Sequence, residues 1–211
     1  FIAGDVTLAE ITPLLEEALR GWQVPAAPKP AKNVADVARP TGPRMILIDK
    51  PGSPQSFILA GHVIPGLGSD RDLAIEAMNG VLGGTFTARI NMNLREEKGW
   101  AYGARTVPQN ARGPRPLLVY APVQTDRTGD SIKELVRELE TIATSRPVTP
   151  DEMSRVIAGS TRELPGEFET AAAVLGSLAS SARYGRPLDY AASLTERYQA
   201  LTLDDLRTAA V

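Results

Sequence analysis

The chain has no cysteine, which excludes disulfides, thiolate nucleophiles and cysteine-ligated zinc or iron–sulfur centres. Histidine is nearly as scarce: His62 is the only one in 211 residues. No two-histidine metal site can form within the chain, and H-E-x-x-H motifs are ruled out. A Ser-His-Asp triad would have to use His62. That residue lies between Phe57-Ile58-Leu59-Ala60-Gly61 and Val63-Ile64-Pro65, and it reads as a strand histidine, not a base. No apolar run approaches the roughly 20 residues of a membrane helix. A net charge of −2 gives no electrostatic footing for nucleic acid or an anionic membrane. What is present is ordinary for a globular protein: 43% hydrophobic and 23% charged residues, enough chain for a substantial core in one or two domains. The start, Phe1-Ile2-Ala3-Gly4, carries no signal pattern and reads as cut from something longer.

Phe1-Ile2-Ala3 followed by Gly4-Asp5 predicts a strand and turn. Thr7 and Glu10 have capping-box spacing, and Leu8, Ile11, Leu14, Leu15, Ala18 and Leu19 continue as a helix that Gly21 ends. Segment 1–22 is therefore a strand and a helix. Residues 23–43, with Pro25, Pro28, Pro30, Pro40 and Pro43 among alanines, read as an extended linker. A compact domain over 44–211 follows. Strands are expected at 44–49, 55–64, 101–107 and 115–123, the first two close enough for a hairpin. Helices are expected at 69–82, with Ser69 as cap, and at 129–144, 150 onward behind Thr149-Pro150-Asp151-Glu152, 167–183, 188–200 and 203–210. The fold class is α+β, an antiparallel β-sheet packed against helices.

The chemistry concentrates in residues 82–103. A glycine pair precedes a helix on which Phe86, Ile90 and Leu94 form one apolar stripe, and Arg95 points roughly 140° away from it. Gly99 occupies the expected left-handed cap, and Tyr102 emerges on the next strand. Arginine and phenol are both donors suited to a peptide carbonyl, although a surface arginine and a packing tyrosine would carry the same spacing. Glu96-Glu97 point about 100° apart and read as a solvated helix end. Gly83-Gly84 lacks the lysine of a phosphate loop. Arg112-Gly113-Pro114-Arg115-Pro116 reads as a basic hairpin turn.

Leu82-Gly83-Gly84-Thr85-Phe86-Thr87-Ala88-Arg89-Ile90 followed by Leu94-Arg95-Glu96-Glu97-Lys98-Gly99-Trp100-Ala101-Tyr102 resembles the second, non-zinc domain of the M16 zinc metallopeptidases, the pitrilysin, insulinase and mitochondrial-processing-peptidase relatives. The family pattern runs LGG-x-F-x-S-R-L and then LRE-x-x-G-x-x-Y; Ala88 stands where serine is common and Ile90 replaces leucine. Phe1 to Thr7 resembles the closing strand and turn of a first domain, Gly166 to Thr170 a helix start, and Leu201 to Leu206 a late helix.

The resemblance implies two similar halves facing each other across a chamber. Zinc would sit in the partner half, on an inverted H-x-x-E-H motif this chain lacks. This half would be inactive alone, with no catalytic, cofactor or metal-binding residue of its own. It would contribute Arg95 and Tyr102 to a peptide substrate, Tyr102 donating to the developing oxyanion and Arg95 holding a neighbouring carbonyl. The expected partners are a zinc-bearing M16 domain or subunit and a peptide. Family habit suggests a bacterial periplasmic location over a cytoplasmic one. The alternative is a non-catalytic structural or interaction module of the same fold. On this reading 1–22 is the tail of the preceding domain, and 44–211 stops before its own closing strand. Strand 1–6 would then fill the vacant sheet position, in the same chain or in a strand-swapped homodimer.

Overall fold

Local rules place the first helix. In the computed structural model, which describes residues 1–38 and 40–211, Thr7 caps α1 (Leu8–Ala18) and the Glu10 carboxylate returns to the Thr7 N–H at 2.8 Å. Arg39, inside the expected 23–43 linker, lies outside the described residues. Neither 23–38 nor 40–50 contains a helix or strand.

The sheet is built on alternation. β1 (Gln55–Ile64) has the expected limits and pairs antiparallel along its whole length with β3 (Arg115–Gln124); β2 (Arg105–Pro108) lines the other side of β3, giving the order β1-β3-β2 among the described residues. On β3, Leu117, Val119, Ala121 and Val123 are buried while Pro116, Leu118, Tyr120 and Pro122 face the other way. Helices cover only the first of these faces. The core joins Val119, Ala121 and Val123 of β3 to Ala77 and Met78 of α2 (Asp72–Asn79) and to Ile90 of α3 (Arg89–Asn91). Leu135 and Ile142 of α4 (Thr128–Ile142) and Leu206 of α8 (Leu203–Ala209) complete it. Between α4 and α8 run α5 (Pro150–Glu163), α6 (Ala171–Tyr184) and α7 (Leu194–Gln199). Thr149 with Glu152 and Thr202 with Asp205 form the capping boxes that open α5 and α8.

Four expectations are corrected. Residues 44–49 are not a strand: Met45, Ile46, Leu47 and Ile48 are exposed, because no described residue meets their backbone groups. Residues 1–6 likewise stand outside the sheet and fill no position in it within this chain. The strand expected at 101–107 begins at Arg105, with Ala101 contributing an isolated bridge to Val123. Ser69 does not cap α2; Arg71 occupies that position, and the helix changes at Gly80 into a π-helical turn ending at Gly84. Smaller shifts affect the later helices. α6 begins at Ala171, capped by Thr170, and a 3₁₀ turn at Tyr190–Ser193 precedes α7.

Candidate functional site

The glycine pair that opens the 82–103 segment is a packing requirement. A Cβ on Gly83 would come within 2.7 Å of the Thr106 amide nitrogen, so only glycine lets this turn lie against β2. Asn79 fixes the same contact, accepting from the Thr106 hydroxyl at 2.6 Å. The chain then turns over residues 85–88, the Ala88 N–H donating to the Thr85 carbonyl at 3.2 Å, before α3 begins. Phe86 therefore precedes the helix and does not share the stripe of Ile90 and Leu94. Those two are buried, and Phe86 is 61% exposed.

Arg89 anchors the start of α3. Its Nε and Nη2 donate to the two carboxylate oxygens of Glu152 at 2.7 and 2.6 Å, and its other donors reach the Arg146 and Pro147 carbonyls. Glu152 belongs to the capping box of α5. Burial pushes its pKa upward, but the hydrogen bonds from Arg89 and the Thr149 amide outweigh that and hold it down at about 2. The Arg89–Glu152 pair thus locks the site helix to the bundle.

After Asn91 the helix widens into a π-helical turn, Met92–Glu97, which carries Arg95; such turns are frequent where function requires an unusual side-chain direction. Gly99, at φ +66°, ends it in the left-handed conformation the sequence predicts. The chain next meets β3 through the Ala101–Val123 bridge and again at Arg105–Tyr120. Four residue steps on this side oppose three on β3, so one extra residue is accommodated here as a bulge. Tyr102 lies in that bulge and is 85% exposed.

Arg95 and Tyr102 are brought together. The Arg95 guanidinium carbon lies 5.3 Å from the centre of the Tyr102 ring and 4.6 Å from that of Phe86, so the arginine is held between two aromatics. Its Nε faces Glu96 at 3.2 Å, and its side chain keeps 32% exposure. Phe86 is the participant sequence reasoning missed, because the helical wheel set it in the apolar stripe of a helix that begins only at Arg89.

A second polar cluster was not anticipated. Arg115, expected in a surface turn, is 1% exposed at the start of β3, donating to Asp72 at 3.2 Å and to the Pro65 carbonyl at 2.9 Å. Arg186 meets the other oxygen of Asp72 at 2.7 Å. Beside them Glu76 is raised by burial against the opposing pull of Arg186 and Arg115, and Tyr198, which donates to it at 3.3 Å, is also raised by burial. A cavity of about 380 Å³ adjoins this cluster, lined by Phe168, Ser181, Arg186, Tyr190 and Leu194; Arg95 and Tyr102 sit instead on open surface. His62 is an exposed residue of β1 opposite Leu117. Among the described residues no group of three or more His, Cys, Asp or Glu is arranged to hold a metal ion, so the donors here do not fit zinc.

Residues 1–160 match the family described as the peptidase M16 inactive domain. No curated protein sequence matches the chain. Among solved structures it is similar to a peptidase M16 inactive domain from Pseudomonas fluorescens, at 20% identity and TM-score 0.78 over 98% of this chain and 48% of that one. It is similar to a protease from Helicobacter pylori at 18% identity and TM-score 0.83, over 99% of this chain and 50% of that one. It also resembles the periplasmic protease PqqL from Escherichia coli at 14% identity and TM-score 0.70, over 98% of this chain and 23% of that one. The chain thus spans about half the length of the first two. The match over residues 1–160 shows that the chain belongs to the M16 peptidase inactive-domain family.

Proposed function

We propose that the chain is the substrate-holding, catalytically incomplete half of an M16 zinc peptidase, contributing Arg95 and Tyr102 to hydrolysis at the zinc of a partner domain or subunit. The observation that carries this reading is the stack itself: Arg95, half-buried, lies 5.3 Å from the ring of the exposed Tyr102 at one end of the sheet. The zinc would supply the activated water and polarise the carbonyl. This chain's residues would bind and orient. Arg95 directs its guanidinium at a peptide carbonyl, and the Tyr102 hydroxyl donates to the oxygen on which charge develops. Phe86 keeps the guanidinium in plane.

The uncovered face of the sheet supports the same reading. Phe57 and Leu59 are 62% and 58% exposed there, beside Tyr120, on a face that no helix among the described residues covers. A zinc-bearing half closing over a peptide would cover it. In this arrangement 1–22 is the tail of the preceding domain, 23–43 the linker and 44–211 the inactive domain, and the periplasm is the compartment.

The test is Tyr102→Phe in the enzyme assembled with its zinc-bearing half. Loss of one oxyanion donor is expected to lower kcat by about 10²–10³ with little change in peptide affinity. Wild-type turnover in that variant rejects the assignment. It would favour a purely structural role for the pair.

A further inference from the structure

We propose that Asn91 is the positioning residue of the Arg95–Tyr102 pair; its effect on catalysis rests on the reading above, its effect on geometry does not. Asn91 is 4% exposed and sits on α3 one turn before Arg95. Its amide is divided between two segments of chain. Nδ2 donates to the Phe86 carbonyl at 2.7 Å, and Oδ1 accepts from the Ala104 N–H at 3.1 Å. Phe86 supplies one wall of the arginine stack. Ala104 closes the bulge from which Tyr102, the other wall, projects. One side chain therefore ties both walls to the helix that carries the arginine.

The chemistry selects asparagine. A carbonyl can only accept and a backbone N–H can only donate, so the residue between them must offer one donor and one acceptor from a single planar group. The orientation of the amide follows from these partners. Aspartate keeps the acceptor for Ala104 and sets an oxygen against the Phe86 carbonyl. Leucine leaves the buried Ala104 N–H and the part-buried Phe86 carbonyl without this partner. Phe86 and Tyr102 are both largely exposed, so packing alone does little to locate them.

The Nε–Hε resonance of Arg95, assigned by its loss in Arg95→Lys, reports the stack because the two rings shift it. Asn91→Asp is expected to give the resonance position of Phe86→Leu, since only the Phe86 tie is broken. Asn91→Leu is expected to move it toward that of an unstacked arginine. In the enzyme assembled with its zinc-bearing half, Asn91→Leu should lower kcat by up to about 10²-fold, as expected for a misplaced contact, with KM little changed. An unshifted Arg95 resonance in folded Asn91→Asp and Asn91→Leu overturns the proposal. A shifted resonance with unchanged kcat upholds the positioning role and rejects the substrate reading of Arg95 and Tyr102. Where the variants fail to fold, the wild-type chain decides. Slow exchange of the Asn91 side-chain amide and of the Ala104 N–H supports the proposal, and fast exchange of both overturns it.

Discussion

The tie between Arg89 and Glu152 makes acid stability a quantitative test of how the site helix is held. Taken whole, a carboxyl lowered from 4.5 to about 2 corresponds to ~3.4 kcal/mol of stability. The Glu152 side chain retains 17% exposure, and access of water reduces that to about 1.5–2 kcal/mol. The sign follows from the direction of the shift. A depressed carboxyl contributes fully above its unfolded value of 4.5 and loses the contribution as pH falls toward about 2. By pH 3 roughly 60% of it is gone. Glu152→Gln is therefore expected to be less stable than wild type by about 1.5–2 kcal/mol at pH 7, and the gap should narrow to about 0.6–0.8 kcal/mol at pH 3. Urea unfolding of both proteins at pH 7, 5, 4 and 3 measures it, because other carboxylates cancel in the difference. A gap that stays constant across this range would refute the assignment of the lowered pKa to the Arg89 and Thr149 contacts.

Asp72→Asn leaves Arg115, whose side chain is fully buried, without its counter-charge; a loss of about 3–5 kcal/mol is expected in urea unfolding, and a loss below ~1 kcal/mol would show that the buried pair does not hold α2 to β3. Gly99→Ala is expected to cost roughly 1–2 kcal/mol from the left-handed backbone alone, since a Cβ there meets nothing within 4 Å. Gly99→Asn should fall between the two, and an alanine variant as stable as glycine in thermal unfolding would contradict the cap.

What was legible in the sequence was what is decided locally. The capping boxes at Thr7 and Thr149, the left-handed Gly99 and the limits of β1 depend on neighbours within a few residues, and all stand where spacing placed them. Contacts made across the fold were not legible. Arg115 looked like a turn residue because Asp72 is 43 positions away, and nothing in a run of Arg, Gly and Pro announces a buried partner. Phe86 was misplaced because a helical wheel assumes 100° per residue from a known start, whereas α3 begins at Arg89 and widens after Asn91. Residues 44–49 have the composition of a strand, but a strand also needs a neighbour to satisfy its backbone. Composition cannot supply one.

The surface aromatics give the half-site reading its physical sense. Aromatic residues make up only 5% of the chain, and burying them is the largest single contribution a side chain can make to a core. Phe57, Phe86 and Tyr102 are nevertheless exposed. None is left loose. Phe86 and Tyr102 enclose Arg95, while Phe57 packs edge-on against Tyr120 at 6.2 Å, over which Arg105 lies at 5.4 Å. Each stack stiffens a flexible cation against a flat ring, which lowers the conformational entropy a binding partner must later remove. A surface meant only for water gains nothing from that arrangement. A surface that must meet a peptide backbone at a fixed distance from a reacting carbonyl does, because misplacement of about 1 Å there can cost about a hundredfold in rate. Under the proposed function, Phe86 and Tyr102 would serve that alignment by holding Arg95 between them.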